Sequence, residues 1–441
     1  MARNLSRNTK LVVSTVAPTG TPAPADSFEV PPLDGYSFTQ DTGTQEISLN
    51  EAGDTPVRGT QSFNTSINPA DVSFTTYIKP YLNGANHDMV ERLLWKAFVG
   101  TESDNTNVST TATEAVVSFT NSDKPQLLKL YLYFILDNVT YCIEEFVVNT
   151  AEIDFSIDSI AQIAWSGQGK SIVEATNTPL VSGTNYTAAP SSPIFIRNKL
   201  NSIVLTDNNG TSAETDSQSG AVGGTTAAPI ITTTGDVIAV DDEYVGGRLK
   251  YTSGTQNGNT YKITDSTEVG VALDTITLRG PFEGVDPSAL DTFDVYPDGH
   301  TAETYNVPIT GGALTLDNGI TFLTAEELGV VNQPIDHFTG ARAISGNLTA
   351  YLNTGQQNTS DLLTMLSEDL GSVSQDFSLT VNIGGAVAPN VAIAMGSTQL
   401  AIPTIATEDV ISTEIVFKAQ NPNGLDPVGG NEEATITYKA A

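Results

Sequence analysis

What this chain has little of narrows its chemistry before any motif is read. Among 441 residues there is one cysteine, Cys142, so no intramolecular disulfide framework can form. Three histidines, His87, His300 and His337, stand far apart and offer no spacing for a zinc site. Positive charge is scarce: 19 Lys and Arg face 51 Asp and Glu, a formal charge of −32. Gripping DNA needs basic side chains to displace counterions, and a surface this acidic is set against that role. No apolar run approaches the ~20 residues that a membrane helix needs, so no membrane partner is expected. Arg3, Arg7 and Lys10 flank LVVSTVA, a poor hydrophobic region for a signal peptide, and none is expected.

What is present is enough to build a core. Hydrophobic residues make up 39% and charged residues 16%, which separates the chain from disordered ones. Length alone suggests two or three domains. The charge is uneven, because residues 207–303 hold 16 acids and 4 bases, 12 of the 32 net negative charges. Solubility or a high-salt habitat explains such a surplus most simply.

Internal similarity organises the rest. RNTKLVV (7–13) matches RNKLNSIVL (197–205), and EISLNEAG (46–53) matches ALTLDNGI (313–320). DVSFTTYI (71–78) matches SGNLTAYL (345–352), setting Phe74 against Leu348, and DMVERLLWKAF (88–98) matches DLLTMLSEDL (361–370). A looser fifth pair sets Trp165 against Phe417. Five matches in one order indicate a tandem duplication.

Each copy reads mainly as strand. Val72, Phe74, Thr76 and Ile78 alternate with Asp71, Ser73, Thr75 and Tyr77; Ile153, Phe155 and Ile157 alternate with Glu152, Asp154, Ser156 and Asp158. Period two packs one face and wets the other. LLKLYLYFIL (127–136) is apolar throughout, as a strand covered on both faces should be. Each copy has one helix. Asp88 and Glu91 suggest a capping box for the first, with Gly100 closing it; Leu362, Leu363 and Leu366 mark the second, ended by Gly371. The expected class is mainly β: two tandem β-sandwiches, each with a flanking helix, plus a small inserted β-domain. The expected boundaries are 1–190 for the first copy, 194–206 with 303–420 for the second, 207–302 for the insert and 421–441 for a tail. Within the insert, 207–228 reads as a Gly/Ser/Thr linker and 229–298 as short strands with turns.

Candidate catalytic chemistry is thin. AWSGQGKS (164–171) fits a relaxed phosphate-loop pattern, but IVEATNTPLVSG behind it has no helical period, so a strand end and turn are expected. Asp241, Asp242 and Glu243 lack calcium-loop spacing and read as a solvated turn. Cys142 beside an apolar strand reads as a buried small residue. No enzyme, cofactor or metal is expected.

The motif string RNTKLVVSTV, NEAGDTPVRGTQSFN, ADVSFTTYIKPY, IRNKLN, VPITGG, LTAYLN and IPTIATEDV resembles tail tube proteins of long-tailed siphophages, specifically the fused type with two tube domains in one chain. The resemblance covers about 1–205 and 303–420. It implies a virion protein made in the host cytoplasm, trimeric rings of pseudo-sixfold symmetry and stacking of those rings along a tape-measure protein. It further implies tail terminator and distal tail partners, with DNA only passing through. Two departures stand out: the 207–303 module, and a short tail where some fused members carry an immunoglobulin-like domain.

On this reading Glu152, Asp154 and Asp158 of one copy, with Glu408, Asp409 and Glu414 of the other, line an acidic lumen that repels DNA. Arg3, Arg7 and Lys10 are the candidate inter-ring contacts, and 17–45 is a second candidate arm. The alternative from another class is a secreted acidic adhesin or surface-layer subunit whose insert binds a ligand; the motif string and the missing secretion signal oppose it.

Overall fold

The alternating segments become strands of one hydrogen-bonded network. A computed structural model describes residues 9–47, 61–100, 107–119, 126–137, 139–175, 180–191, 195–208, 215–234, 238–239, 241–269, 274–282, 284–296, 304–324, 326, 331–354, 357–368, 376–407, 411–421 and 433–441. Among these the protein is mainly β, with two α-helices.

In the first copy the principal elements are β1 (Thr9–Ser14), β2 (Ser37–Ile47), β3 (Gln61–Tyr77), α1 (Arg92–Val99), β4 (Ala115–Ser118), β5 (Leu130–Leu136), β6 (Val139–Asp154), β7 (Gln162–Gly169) and β8 (Ser171–Glu174). β9 (Ser202–Asp207) opens the second copy. The insert follows as β10 (Thr215–Thr225), β11 (Ala228–Thr233), β12 (Arg248–Tyr251), β13 (Thr260–Thr267), β14 (Thr275–Leu278) and β15 (Thr292–Tyr296). The second copy resumes with β16 (Ile309–Asp317), β17 (Ile320–Thr324), β18 (Pro334–Thr339), β19 (Ala343–Tyr351), α2 (Thr359–Glu368), β20 (Phe377–Ile383), β21 (Asn390–Leu400), β22 (Thr404–Thr407) and β23 (Ile411–Ala419). β24 (Thr435–Lys439) ends the chain.

The duplication is visible as matching ladders. β1 pairs with β5, and β9 pairs with β20; β3 pairs with β7, and β19 pairs with β23, all antiparallel. The ladders also correct two sequence alignments. Trp165 lies opposite Phe74, but the residue opposite Leu348 is Ile415, so Ile415 and not Phe417 is the counterpart of Trp165. Phe38 lies opposite Val72 as Leu314 lies opposite Gly346, which sets 37–41, not 46–53, against 313–317. The first correction is a shift of two residues, which keeps every side chain on its face, so period-two similarity alone does not fix register; the second spans two register shifts in the β2–β3 ladder.

A core beneath the sheets takes residues from both copies. Trp95 and Trp165 meet edge to face, 4.9 Å between centroids, with Phe98 and Phe119 around Trp95. α1 buries Leu93, Leu94, Trp95, Ala97, Phe98 and Val99, and α2 buries Leu362, Met365 and Leu366. The capping box does not form, since Glu91 makes no side-chain cap. Instead Asp88, next to last in the short strand Asn86–Met89, accepts from Met89 N at 2.9 Å and from Arg92 at 3.0 Å. Glu91 is fully buried, with Oε1 accepting from Lys79 N.

The insert is a closed six-stranded barrel, ordered β10-β11-β14-β13-β12-β15, with its own core of Ile231, Leu249, Tyr251, Tyr261, Phe282 and Phe293 among others. The linker expected over 207–228 is overturned here. Its residues 215–225 are β10, which pairs with both β11 and β15. Gly220 and Gly224 sit where a Cβ would strike the backbone or side chains of β11, so the small residues permit the strand's close approach.

The tail is structural too. β24 lies between β21 of the second copy and β4 of the first, joining them. Tyr438 Oη accepts from Trp95 Nε1 at 2.8 Å, and His87 Nδ1 accepts from Ala440 N at 2.9 Å.

Candidate functional site: one sheet face across two repeats

The two copies are joined edge to edge. β6 of the first pairs antiparallel with β16 of the second: Glu152 opposite Thr315, Ile153 opposite Leu314, Asp154 opposite Ala313. This seam makes one sheet, ordered β2-β3-β7-β6-β16-β19-β23-β22. Its inner face carries the core residues Val72, Phe74, Ile163, Trp165, Ile153, Leu314, Leu348 and Ile415. Alternation sends their neighbours to the other face.

That other face is polar and mostly neutral, with acids set into Ser, Thr, Asn and Gln. The structure brings Glu152, Asp154 and Glu414 onto it, all exposed. It adds Asp71 and Asp317, which the same alternation in DVSFTTYI and ALTLDNGI made legible. Gln168 donates to Asp71 at 2.9 Å and Asn347 donates to Glu414 at 2.8 Å, holding those carboxylates in place. Lys418 is a base on the same face, in line with Ser345. Asp158 is exposed but lies in the turn after β6 ends at Asp154, so it does not share the strand face expected of it. Glu408 and Asp409 lie outside the described residues.

A second contact reinforces the seam. The β17–β18 hairpin of the second copy rests on the first: Phe322 packs with Leu127 and Val147, and His337 Nε2 accepts from Leu127 N at 3.0 Å. Lys129 bridges Glu145 and Asp336, 3.0 Å to each, and Lys170 reaches Glu145 at 2.8 Å. The two lysines hold the Glu145 carboxyl below the usual carboxylate range against the opposing effect of its burial. Lys129 likewise draws Asp336 down.

The other candidates resolve as ordinary structure. The phosphate-loop pattern lies on β7 and β8, with no helix directly after it among the described residues, and its Lys170 serves the seam. Asp241 and Glu243 accept from the backbone N–H groups of Glu268 and Ala239. Burial pushes the Cys142 thiol up to about 12, the opposite of a reactive cysteine. Lys10 lies 3.8 Å from Glu29, whose charge raises its pKa, while Arg3 and Arg7 lie outside the described residues.

Comparison with known proteins finds a likeness to a bacteriophage tail tube protein along nearly the whole chain. No family model matches the sequence. The likeness is to tail tube protein pb6 of Escherichia phage T5, 28% identical over 435 residues that span 97% of this chain and 74% of pb6.

Proposed function

We propose that three copies close into a ring whose inner wall is the polar sheet face, and that stacked rings form the conduit through which the genome leaves. The observation that carries this reading is the seam. Within one chain, two repeats already sit edge to edge in a continuous ladder, so three chains supply six repeats. Closure removes exposed strand edges, which are otherwise aggregation sites. On this reading the tube domains are 1–190 and 194–206 with 303–420, and the 207–302 barrel lies on the outer surface. A tape-measure protein occupies the lumen before DNA does, and tail terminator and distal tail proteins meet the tube's ends.

The wall's chemistry suits passage. DNA carries roughly one negative charge per 1.7 Å of axis, and a basic wall would hold it by counterion release. A wall of hydroxyls and amides with carboxylates at Glu152, Asp154 and Glu414 keeps the duplex hydrated and mobile. Glu408 and Asp409 are assigned to the same lining, Asp158 to the turn at its edge, and Arg3, Arg7 and Lys10 to contacts between rings. Only charges on the wall act this way, because salt screens beyond ~10 Å at 0.1 M.

Replacing Glu152, Asp154 and Glu414 with Lys tests the assignment. Tubes of normal appearance under negative stain, with genome release slowed several-fold, are the expected result. Release at the normal rate from such tubes would remove these residues from the wall.

A further inference from the structure

The seam inside the chain has an open counterpart at the chain's two sheet edges. β2 pairs with β3 on one side, and β22 pairs with β23 on one side; among the described residues neither has a strand on its other side. The repeat ladders show what each edge corresponds to. Ile153 lies opposite Ile163 as Ile405 lies opposite Thr413, and Ile163 and Thr413 are counterparts once Trp165 is set against Ile415. Ile405 is therefore the counterpart of Ile153. Phe38 is likewise the counterpart of Leu314.

Burial separates the closed joint from the open one. Ile153 and Leu314, facing each other across the seam, are 1% and 0% exposed. Ile405, in the same place on the free edge, is 48% exposed, and Phe38 is only partly buried. An apolar side chain on a free strand edge, whose repeat counterpart is sealed by a strand, marks a strand that is missing from the isolated chain.

We infer that β22 of one copy pairs antiparallel with β2 of the next, in the register Thr404 opposite Thr39, Ile405 opposite Phe38 and Ala406 opposite Ser37. This rests on the ring reading and adds to it the strands, the direction and the register. The occupant is a second copy of this chain, because each open edge is the repeat counterpart of an edge that the other repeat already fits at the seam.

The new joint differs from its template in charge. At the template seam Glu152 and Asp154 face Thr315 and Ala313, and the Lys129–Glu145–Lys170 cluster clamps the hairpin above it. Counting along the matched ladders, the counterparts of Lys129, Glu145 and Lys170 are Asp376, Ser397 and Gln420. No base remains among them. The joint between copies is sealed by apolar and hydroxyl side chains, without an ion-pair clamp.

Cysteines at directly opposed positions of an antiparallel pair come within disulfide reach, about 4.5–5.5 Å between Cα atoms. The full-length Thr39→Cys/Thr404→Cys variant, assembled and then oxidised, is expected to give covalent dimers and trimers on non-reducing gels, with few larger species. Glu152→Cys/Thr315→Cys calibrates the method, since its bond forms within one chain. Buried Cys142 stays inert in both. Thr39→Cys/Ala406→Cys, two residues out of register, is expected to cross-link at least several-fold less. Preferential cross-linking of that shifted pair overturns the register. Wild-type rings with neither pair cross-linking overturn the joint while leaving the ring intact. Wild-type protein that forms no rings or tubes under the microscope overturns the ring, and the joint with it. Ile405→Arg gives a second reading: folded, unassembled chains with an unchanged circular dichroism spectrum are expected, and normal tubes would refute the pairing.

Discussion

At the scale of single residues, Glu91 is an acid placed where an ionised acid is costly. Burial raises its pKa from 4.5 to about 8, outweighing the Lys79 N–H that favours the charged form. The folded state therefore holds a proton that the unfolded chain gives up near pH 4.5. Stability from this proton is fully present below pH 4.5, falls by ~1.4 kcal/mol per unit as pH rises, and is lost above about 8. Glu91→Gln keeps an acceptor for Lys79 N and cannot ionise. Its melting temperature should match the wild type at pH 4.5 and exceed it by several degrees at pH 8. Equal melting temperatures at both pH values would show that the carboxyl is solvated. Tyr438 poses a simpler case: its Oη accepts from Trp95 Nε1, and both rings are buried. Tyr438→Phe strands that N–H, at a cost of about 1–3 kcal/mol in denaturant unfolding.

At the scale of elements, legibility followed the locality of the signal. β3 and β6 could be read from the sequence because alternation is a property of one strand, and Val72, Phe74 and Ile153 are buried as expected. The same alternation put Glu152 and Asp154 on the polar face, though it ran four residues too far and included Asp158. β10 was missed because its glycines and hydroxyls announce a loop; its place is fixed by partners β11 and β15 and by the close approach that glycine allows. β24 was legible as an extended segment, but no local pattern could say that it bridges the two repeats. That bridging gives the tail a measurable weight. Deleting residues 433–441 opens the edges of β21 and β4 and removes the Arg342–Glu433 pair at 2.7 Å. The truncated chain should be recovered mostly as aggregate, with the soluble fraction showing increased tryptophan exposure in fluorescence quenching. A soluble, normally melting truncation would mean that the β6–β16 seam and the β17–β18 hairpin suffice to hold the repeats together.

At the scale of the whole molecule, the net charge of −32 sets the terms on which copies meet. Like charge repels over the Debye length, roughly 30 Å at 0.01 M salt and 8 Å at 0.15 M. Were the joint between copies built like the internal seam, with Lys129 and Lys170 holding acids, salt would weaken it. The opposed stretches of the open edges carry Ser37, Phe38 and Thr39 on one side and Thr404, Ile405 and Ala406 on the other, none of them charged, and the nearest charge on β2 is the acid Asp41. Burial of Ile405 and Phe38 is insensitive to screening, whereas the long-range repulsion is not. Assembly followed by light scattering should therefore run faster, and from a lower protein concentration, at 150 mM than at 10 mM NaCl. Faster assembly at 10 mM would mean that opposite charges steer the encounter, and the neutral edges would then be a minor part of what the copies recognise.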